Sequence, residues 1–238
     1  MTASRSFLGP SCDQPMVRQR GMPRLSSEVA RLLLADDHIM LRDGLRAILR
    51  EEGFGIVAEA SDGLEAIRLA KELEPDVAVL DISMPLLNGI DAAREILRTS
   101  PKTKVVMLTM HTEDRYVLAS LRAGVTGYVL KSKAASSLVQ ALGAVRRGEV
   151  YLSPGVSRAV VDAYLAKDDT PADPLSIREH EVLQLIAEGK NVKGIGGILG
   201  ISTKTAESHR ANIMRKLHIH EVAGLVLYAV RQGLVRSD

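Results

Sequence analysis

Between residues 30 and 150 the apolar positions fall into two alternating patterns. Short continuous runs, ArgLeuLeuLeuAla at 31–35, ValAlaValLeu at 77–80, LysValValMetLeu at 104–108 and TyrValLeu at 128–130, have the length and Val/Leu content of strands buried on both faces. Between them lie longer segments with helical spacing. The pattern predicts strands near 31–36, 55–60, 77–81, 104–109 and 127–130, and helices near 40–52, 63–73, 89–99, 113–123 and 134–147. Asp62-Gly63 and Asn88-Gly89 stand before helices, Gly53 and Gly124 after them, and Pro75 and Pro101 in the returns to strands. Strict strand–helix alternation gives a parallel sheet, hence an α/β domain with a (βα)5 doubly wound fold.

The pattern changes twice elsewhere. Residues 1–27, rich in Ser, Pro, Arg and Gln without periodicity, read as a disordered tail, and Met16 or Met22 is a candidate start. Val156, Val160, Val161 and Leu165 follow Ser153-Pro154 at helical spacing, before LysAspAspThrProAlaAspPro at 167–174 breaks the pattern as a linker. From 175 to 238 nothing resembles a strand. Ser176-Ile177-Arg178-Glu179 matches a capping box ahead of an apolar-periodic helix, so the second domain is small and all helical. The expected division is a tail over 1–27, an α/β domain over 28–150, a helical segment and linker over 151–174, and a helical domain over 175–238.

Composition adds limits. The chain of 238 residues is 46% hydrophobic and 25% charged, an ordinary globular balance. Its apolar runs are far shorter than the roughly 20 residues of a membrane span, and the first 27 residues lack a signal peptide's apolar core, so a cytoplasmic chain without membrane association is expected. The single cysteine, Cys12, excludes a disulfide framework and paired-cysteine metal spacing. The net charge of +2 divides unevenly: 16 Lys+Arg against 17 Asp+Glu over 30–150, but 9 against 6 over 174–238. The C-terminal excess fits nucleic-acid contact, and ordinary surface scatter explains it too.

The chemistry sits at strand ends. Asp36, Asp37, Asp81 and Lys131 each follow a predicted strand and Thr109 ends another, and in an open parallel sheet such ends meet in one crevice. Three acids, a hydroxyl and an amine suit a divalent metal with phosphate. The Asp81 carboxylate is the candidate phosphoacceptor, able to attack phosphorus and hold a mixed anhydride. Asp37 and Asp81, with the backbone carbonyl of Ser83, are candidate Mg²⁺ ligands, and Asp36 would orient a metal-bound water. Three crowded carboxylates repel one another unless cations offset them, a reason to expect metal and Lys131 together. Lys131 is a point positive charge toward phosphate, and the Thr109 hydroxyl a donor drawn inward only when phosphate is present.

These motifs, LeuLeuAlaAspAspHis, LeuAspIleSerMetPro with AsnGlyIle, LeuThrMet and GlyTyrValLeuLys, resemble the receiver domain of bacterial two-component response regulators over residues 30–148. The resemblance implies phosphorylation of Asp81 by a sensor histidine kinase, Mg²⁺ dependence, and a readout through Thr109 and Tyr128, the latter at the family's aromatic switch position. Ser132 departs from the pattern, since many receivers have proline there. Residues 175–236, through LeuSerIleArgGluHisGluValLeuGlnLeuIleAlaGluGlyLys, LeuGlyIleSerThrLysThr, HisArgAlaAsnIleMetArgLysLeu and LeuTyrAlaValArgGlnGlyLeuVal, resemble the LuxR-type helix-turn-helix output domain, and the two together resemble NarL/FixJ-type transcription regulators. A response regulator controlling DNA binding and transcription through phosphorelay is therefore expected, not an enzyme, with double-stranded DNA as partner and a homodimer forming on phosphorylation.

In the helical domain Gly200-Ile201-Ser202 reads as turn and N-cap, and the helix over 203–217 turns Ala206, Ile213 and Leu217 toward a core. Its outer face is a candidate recognition surface: Lys204, Arg210, Arg215 and Lys216 for DNA phosphates, Glu207, Ser208 and Ala211 for base edges, with Thr205 and His209 beside them. In the last helix Val222, Leu225, Val226 and Ala229 form a stripe that the resemblance assigns partly to dimerisation and that core packing explains almost as well. The helix before the turn carries Gly194, Gly196 and Gly197, which at about 1 kcal/mol each cost it roughly 3 kcal/mol. A marginally folded output domain completed by dimerisation or DNA is the expectation. Two alternatives stand: a phosphate sink or protein-binding regulator with a degenerate glycine-rich output domain, and an aspartate-nucleophile phosphohydrolase. Ser83 weakens the second, because that chemistry wants an aspartate there.

Overall fold

The computed structural model describes residues 29–154, 156 and 174–235. The N-terminal tail with Cys12, the stretch bearing Val160, Val161 and Leu165, and the linker over 167–173 lie outside the described residues.

The alternating part folds as β1 (Arg31–Ala35), α1 (Ile39–Glu51), β2 (Gly55–Ala60), α2 (Gly63–Leu73), β3 (Val77–Leu80), α3 (Gly89–Thr99), β4 (Lys104–Thr109), α4 (Asp114–Arg122), β5 (Gly127–Leu130) and α5 (Ala134–Arg146). The strands pair in parallel in the order β2-β1-β3-β4-β5, followed by a sixth strand, β6 (Tyr151–Leu152). Each apolar run feeds two cores because successive side chains alternate across the sheet. Leu33, Ala35, Ala78, Leu80, Met107 and Tyr128 belong to one buried cluster, while Leu32, Leu34, Val77, Val79, Val106 and Leu108 belong to the other. Helices α2, α3 and α4 cover the first face and α1 and α5 the second.

The helix starts follow the sequence cues. The Asp62 side chain accepts from Glu65 N, and Asn88 accepts from Ile90 N and Asp91 N, so both cap orphan amides. Gly53 and Gly124 sit at φ 82° and 93°, where a side chain would be strained.

The strand β6 differs from expectation, which gave 151–174 to a helix and linker. Tyr151 and Leu152 pair with Gly127 and Tyr128, and Ser153 then donates its amide to Tyr128 O at 2.9 Å while accepting from Leu130 N at 3.2 Å. Val156 is buried in the first of the two sheet cores. The sheet thus continues past residue 150 and fastens the start of the connection to β5.

The second unit comprises α6 (Ile177–Ala187), α7 (Val192–Leu199), α8 (Thr203–Leu217) and α9 (Val222–Gln232). The capping box forms: Ser176 accepts from Glu179 N and the Glu179 side chain accepts from Ser176 N. Leu183, Ile186, Ile195, Ala206, Ile213 and Leu225 lie in one core. The three glycines of α7 are not equivalent. A Cβ on Gly196 would lie 2.9 Å from Ile201 O, so the turn needs glycine's small size there, whereas one on Gly197 would meet nothing within 4 Å. Of the three, Gly194 and Gly197 are the positions where alanine could recover the penalty, about 1 kcal/mol each. Asn191 caps the helix start and Gly200, at φ 65°, its end. Among the described residues no helix is long and apolar enough to cross a membrane.

Candidate functional site

The chain leaves β1 toward β2 on one side and returns to β3 on the other, so the strand order reverses between β1 and β3 and a crevice opens there at the strand ends. Asp36 follows β1, Asp81 follows β3, Thr109 ends β4 and Lys131 follows β5. Lys131 Nζ lies 2.8 Å from Asp36 Oδ2 and 2.7 Å from Asp81 Oδ2, with all three side chains nearly fully buried. Gly89 makes this packing feasible, since a Cβ there would stand 1.9 Å from Asp81 O.

Asp36, Asp37, His38 and Asp81 each present a ligand atom within 4.8 Å of the others, forming a candidate divalent-metal site. The donor set fits Mg²⁺, a hard cation that prefers carboxylate oxygens. Asp36 Oδ2 is paired with the Lys131 ammonium at 2.8 Å, so one cation already offsets part of the charge of the three acids. His38 was legible in the motif but carried no assigned role. Its Nδ1 lies 2.7 Å from Asp37 Oδ1 and 3.2 Å from Asp36 Oδ1.

Thr109 is buried, and its Oγ1 accepts from His111 N at 3.2 Å. Tyr128 is fully buried with its hydroxyl donating to His111 O at 3.0 Å, and burial pushes the phenol well above its ordinary pKa. Thr109 and Tyr128 thus both hold His111, whose Nε2 is 2.8 Å from Ser83 Oγ. Sequence reasoning missed His111, because a single histidine in the loop after β4 carries no periodic or motif signal. No peptide bond among the described residues is cis, that between Lys131 and Ser132 included.

In the output domain Lys204, Thr205, Glu207, Ser208, Ala211, Arg215 and Lys216 are exposed, while His209 and Arg210 are half-buried. Several outward groups are already engaged: Ser208 Oγ donates to Lys204 O, Thr205 Oγ1 pairs with Ser202 Oγ at 2.8 Å, Arg215 donates to Asn212, and Lys216 Nζ donates to Glu179 at 2.6 Å. The stripe on α9 divides: Leu225 and Ala229 are fully buried in the domain's own core, the packing alternative read from the sequence, while Val222 is exposed and Val226 half-buried.

Comparison with known proteins gives the same two parts. Residues 32–143 match the family model described as response regulator receiver domain, and residues 173–229 that described as bacterial regulatory proteins, luxR family. Similar full-length proteins include the transcriptional regulatory protein DegU of Brevibacillus brevis, 33% identical with 86% of this chain and 94% of that protein covered. The transcriptional regulatory protein MctR of Rhizobium johnstonii is 38% identical over 86% of this chain and 95% of its own. Among solved structures, the RcsB response regulator of Salmonella typhimurium, solved in a study of its conformational dynamism for DNA interaction, superposes with a TM-score of 0.53 at 31% identity, covering 85% of this chain and 98% of that one. The chain belongs to the response regulators that join a receiver domain to a LuxR-type output domain. The family is one of transcriptional regulators, which removes the phosphohydrolase alternative.

Proposed function

We propose that the protein is a cytoplasmic regulator in which a sensor histidine kinase phosphorylates Asp81, changing how the α8 surface engages double-stranded DNA as a homodimer. The observation that carries this reading is the lysine held between Asp36 and Asp81, at 2.8 and 2.7 Å, on the edge where three acids and Thr109 meet. An Asp81 oxygen attacks phosphorus, the donor's bond to phosphorus breaks, and an acyl phosphate results. Asp37, Asp81 and the Ser83 carbonyl, with Asp36 beside them, would hold Mg²⁺, which when bound would supply positive charge to offset that of the phosphoryl group. Lys131 exchanges Asp81 Oδ2 for a phosphoryl oxygen. The Thr109 hydroxyl turns to donate to the same group and gives up His111 N, and the loop that Tyr128 holds through His111 O is reset.

The test is a DNA-binding titration on genomic fragments with and without Mg²⁺ and beryllofluoride, alongside intact-mass detection of phosphodonor labelling. Tighter binding with the mimic and loss of labelling in Asp81→Asn are expected. Labelling that survives Asp81→Asn refutes the acceptor. Absence of salt-sensitive binding in either state refutes the DNA output.

A further inference from the structure

Arg42, in the first turn of α1, holds the turn that carries the acidic pair. Its Nη1 donates to Asp36 O at 2.5 Å and its Nε donates to Glu59 Oε2 at 2.9 Å. Glu59 lies on β2, the edge strand beside β1, one residue before Ala60, whose carbonyl accepts from Asp36 N at 3.1 Å. The main chain of Asp36 is therefore fixed at both ends, its amide by β2 and its carbonyl by α1. The peptide group gripped in this way is planar and joins Asp36 to Asp37, so its orientation sets the direction in which both carboxylates leave the chain. Beyond it His38 N donates to Asp36 Oδ1 at 2.9 Å, and Arg42 N donates to His38 O at 3.0 Å, which closes the turn into the helix.

A bare guanidinium beside a cation site works against the cation, because like charges close together repel. Here that charge is offset. Glu59 accepts from Arg42 and, through its other oxygen, from Arg46 Nη1 at 2.7 Å, and Arg46 Nη2 lies 2.6 Å from Asp43 Oδ1. Burial opposes ionisation of Glu59, yet the bonds from Arg46 and Arg42 hold its carboxyl below the usual range, so the acid stays charged. Two guanidiniums thus balance two carboxylates, and Arg42 brings geometry to the site with little net field. The two arginines differ in reach: Arg42 grips the main chain between the acids, whereas Arg46 pairs with the side chains of Glu59 and Asp43.

We propose that Arg42 is a positioning residue for the metal: it sets the peptide between Asp36 and Asp37 so that their carboxylates are aimed at Mg²⁺ before the ion arrives, while Glu59 cancels the charge that this would otherwise bring. The inference rests on Asp36, Asp37 and Asp81 forming the Mg²⁺ site. Two other roles for Arg42 predict different outcomes. Were it acting through its charge, its removal would tighten Mg²⁺ binding. Were it only stabilising the fold, Arg46 in the same ion-pair network would matter as much. Groups that orient metal ligands from behind are worth roughly 10- to 100-fold in metal affinity.

The experiment uses the full chain as wild type, Arg42→Met, Arg42→Lys and Arg46→Met. Mg²⁺ affinity is read from the amide chemical shifts of Asp37 and His38 on titration with magnesium chloride, and hydrogen exchange at the His38 and Arg42 amides is followed without metal. Arg42→Met should bind Mg²⁺ about tenfold or more weakly although it removes a positive charge, and exchange at His38 should quicken in the metal-free chain. Arg42→Lys keeps the charge but cannot fork between Glu59 and the Asp36 carbonyl, so its affinity should fall as well. Arg46→Met should stay within about twofold of wild type, as expected for loss of a partly exposed ion pair. Retained exchange protection in β3 and β4 reports that the receiver is folded, and Arg42→Lys carries the test if Arg42→Met loses it. Unchanged or tighter Mg²⁺ binding in the Arg42 variants, or an equal loss in Arg46→Met, overturns the positioning role. Failure of the wild type itself to bind Mg²⁺ overturns the metal reading, and the positioning role with it.

Discussion

Replacing glycines in α7 separates what the turn needs from what merely weakens the helix. Gly197 is exposed in mid-helix, and an added Cβ would meet nothing within 4 Å, so Gly197→Ala changes only backbone freedom. The gain should be about 0.5–1 kcal/mol, because alanine has fewer unfolded conformations to lose. That corresponds to local opening rarer by roughly 2- to 5-fold, read as slower hydrogen exchange across α7 in the full chain. Gly196→Ala must behave oppositely. Its Cβ would press to 2.9 Å on Ile201 O, a backbone atom whose amide partner already donates to Gly196 O, so the turn into α8 has to shift. Loss of more than about 1 kcal/mol and weaker DNA binding are expected, within the range of overpacked sites. If Gly197→Ala destabilises the helix, or Gly196→Ala leaves exchange and DNA binding untouched, the division of the three glycines into one required and two costly is refuted.

Three further predictions follow from single contacts. Ser153→Ala removes the acceptor for the Leu130 amide and should cost the receiver about 1–3 kcal/mol, seen as a lower melting temperature; a change below about 0.5 kcal/mol would show that β6 is not a fastening. Gly89→Ala drives a Cβ to within 1.9 Å of Asp81 O and should abolish beryllofluoride binding or folding, while Gly44→Ala in α1, with nothing within 4 Å, should leave binding intact. Burial opposes ionisation of Glu179, yet bonds from Lys216 and Ser176 hold its carboxyl below the usual range. Its folded pKa is thus depressed, so its stabilisation is present above the unfolded value of about 4.3 and is lost as pH falls through the folded value. Lys216→Gln should flatten the acid dependence of output-domain unfolding, and an identical acid profile would refute the pairing.

The core of the site was legible because parallel strands oblige it. Once Asp36, Asp81, Thr109 and Lys131 are placed at the ends of buried runs, their convergence needs no further information. Other features had no such signal. Two residues, Tyr151 and Leu152, are too short for alternation to declare a strand, and only the hydrogen bonds of Gly127 to Leu130 define it. Helix α6 was read from its apolar stripe, which hides that His180 and Gln184 on its polar side are also buried, against a different domain. The stripe on α9 looked uniform in sequence. Which half faces inward depends on α6, which packs over Leu225 and Ala229 and leaves Val222 outside.

Asp81 opens into a cleft of about 680 Å³ between Met40, Met110 and Lys131 that has no output-domain residue in its lining, separate from the cleft that Asp37 and Ser83 share with Glu188. Met40 and Met110 stand 90% and 68% exposed at that entrance. A donor arriving there meets the acceptor without displacing anything. In the proposed function phosphorylation therefore asks no movement of the output domain, and any lag between signal and promoter occupancy belongs to steps after the acyl phosphate forms and not to access to the carboxylate.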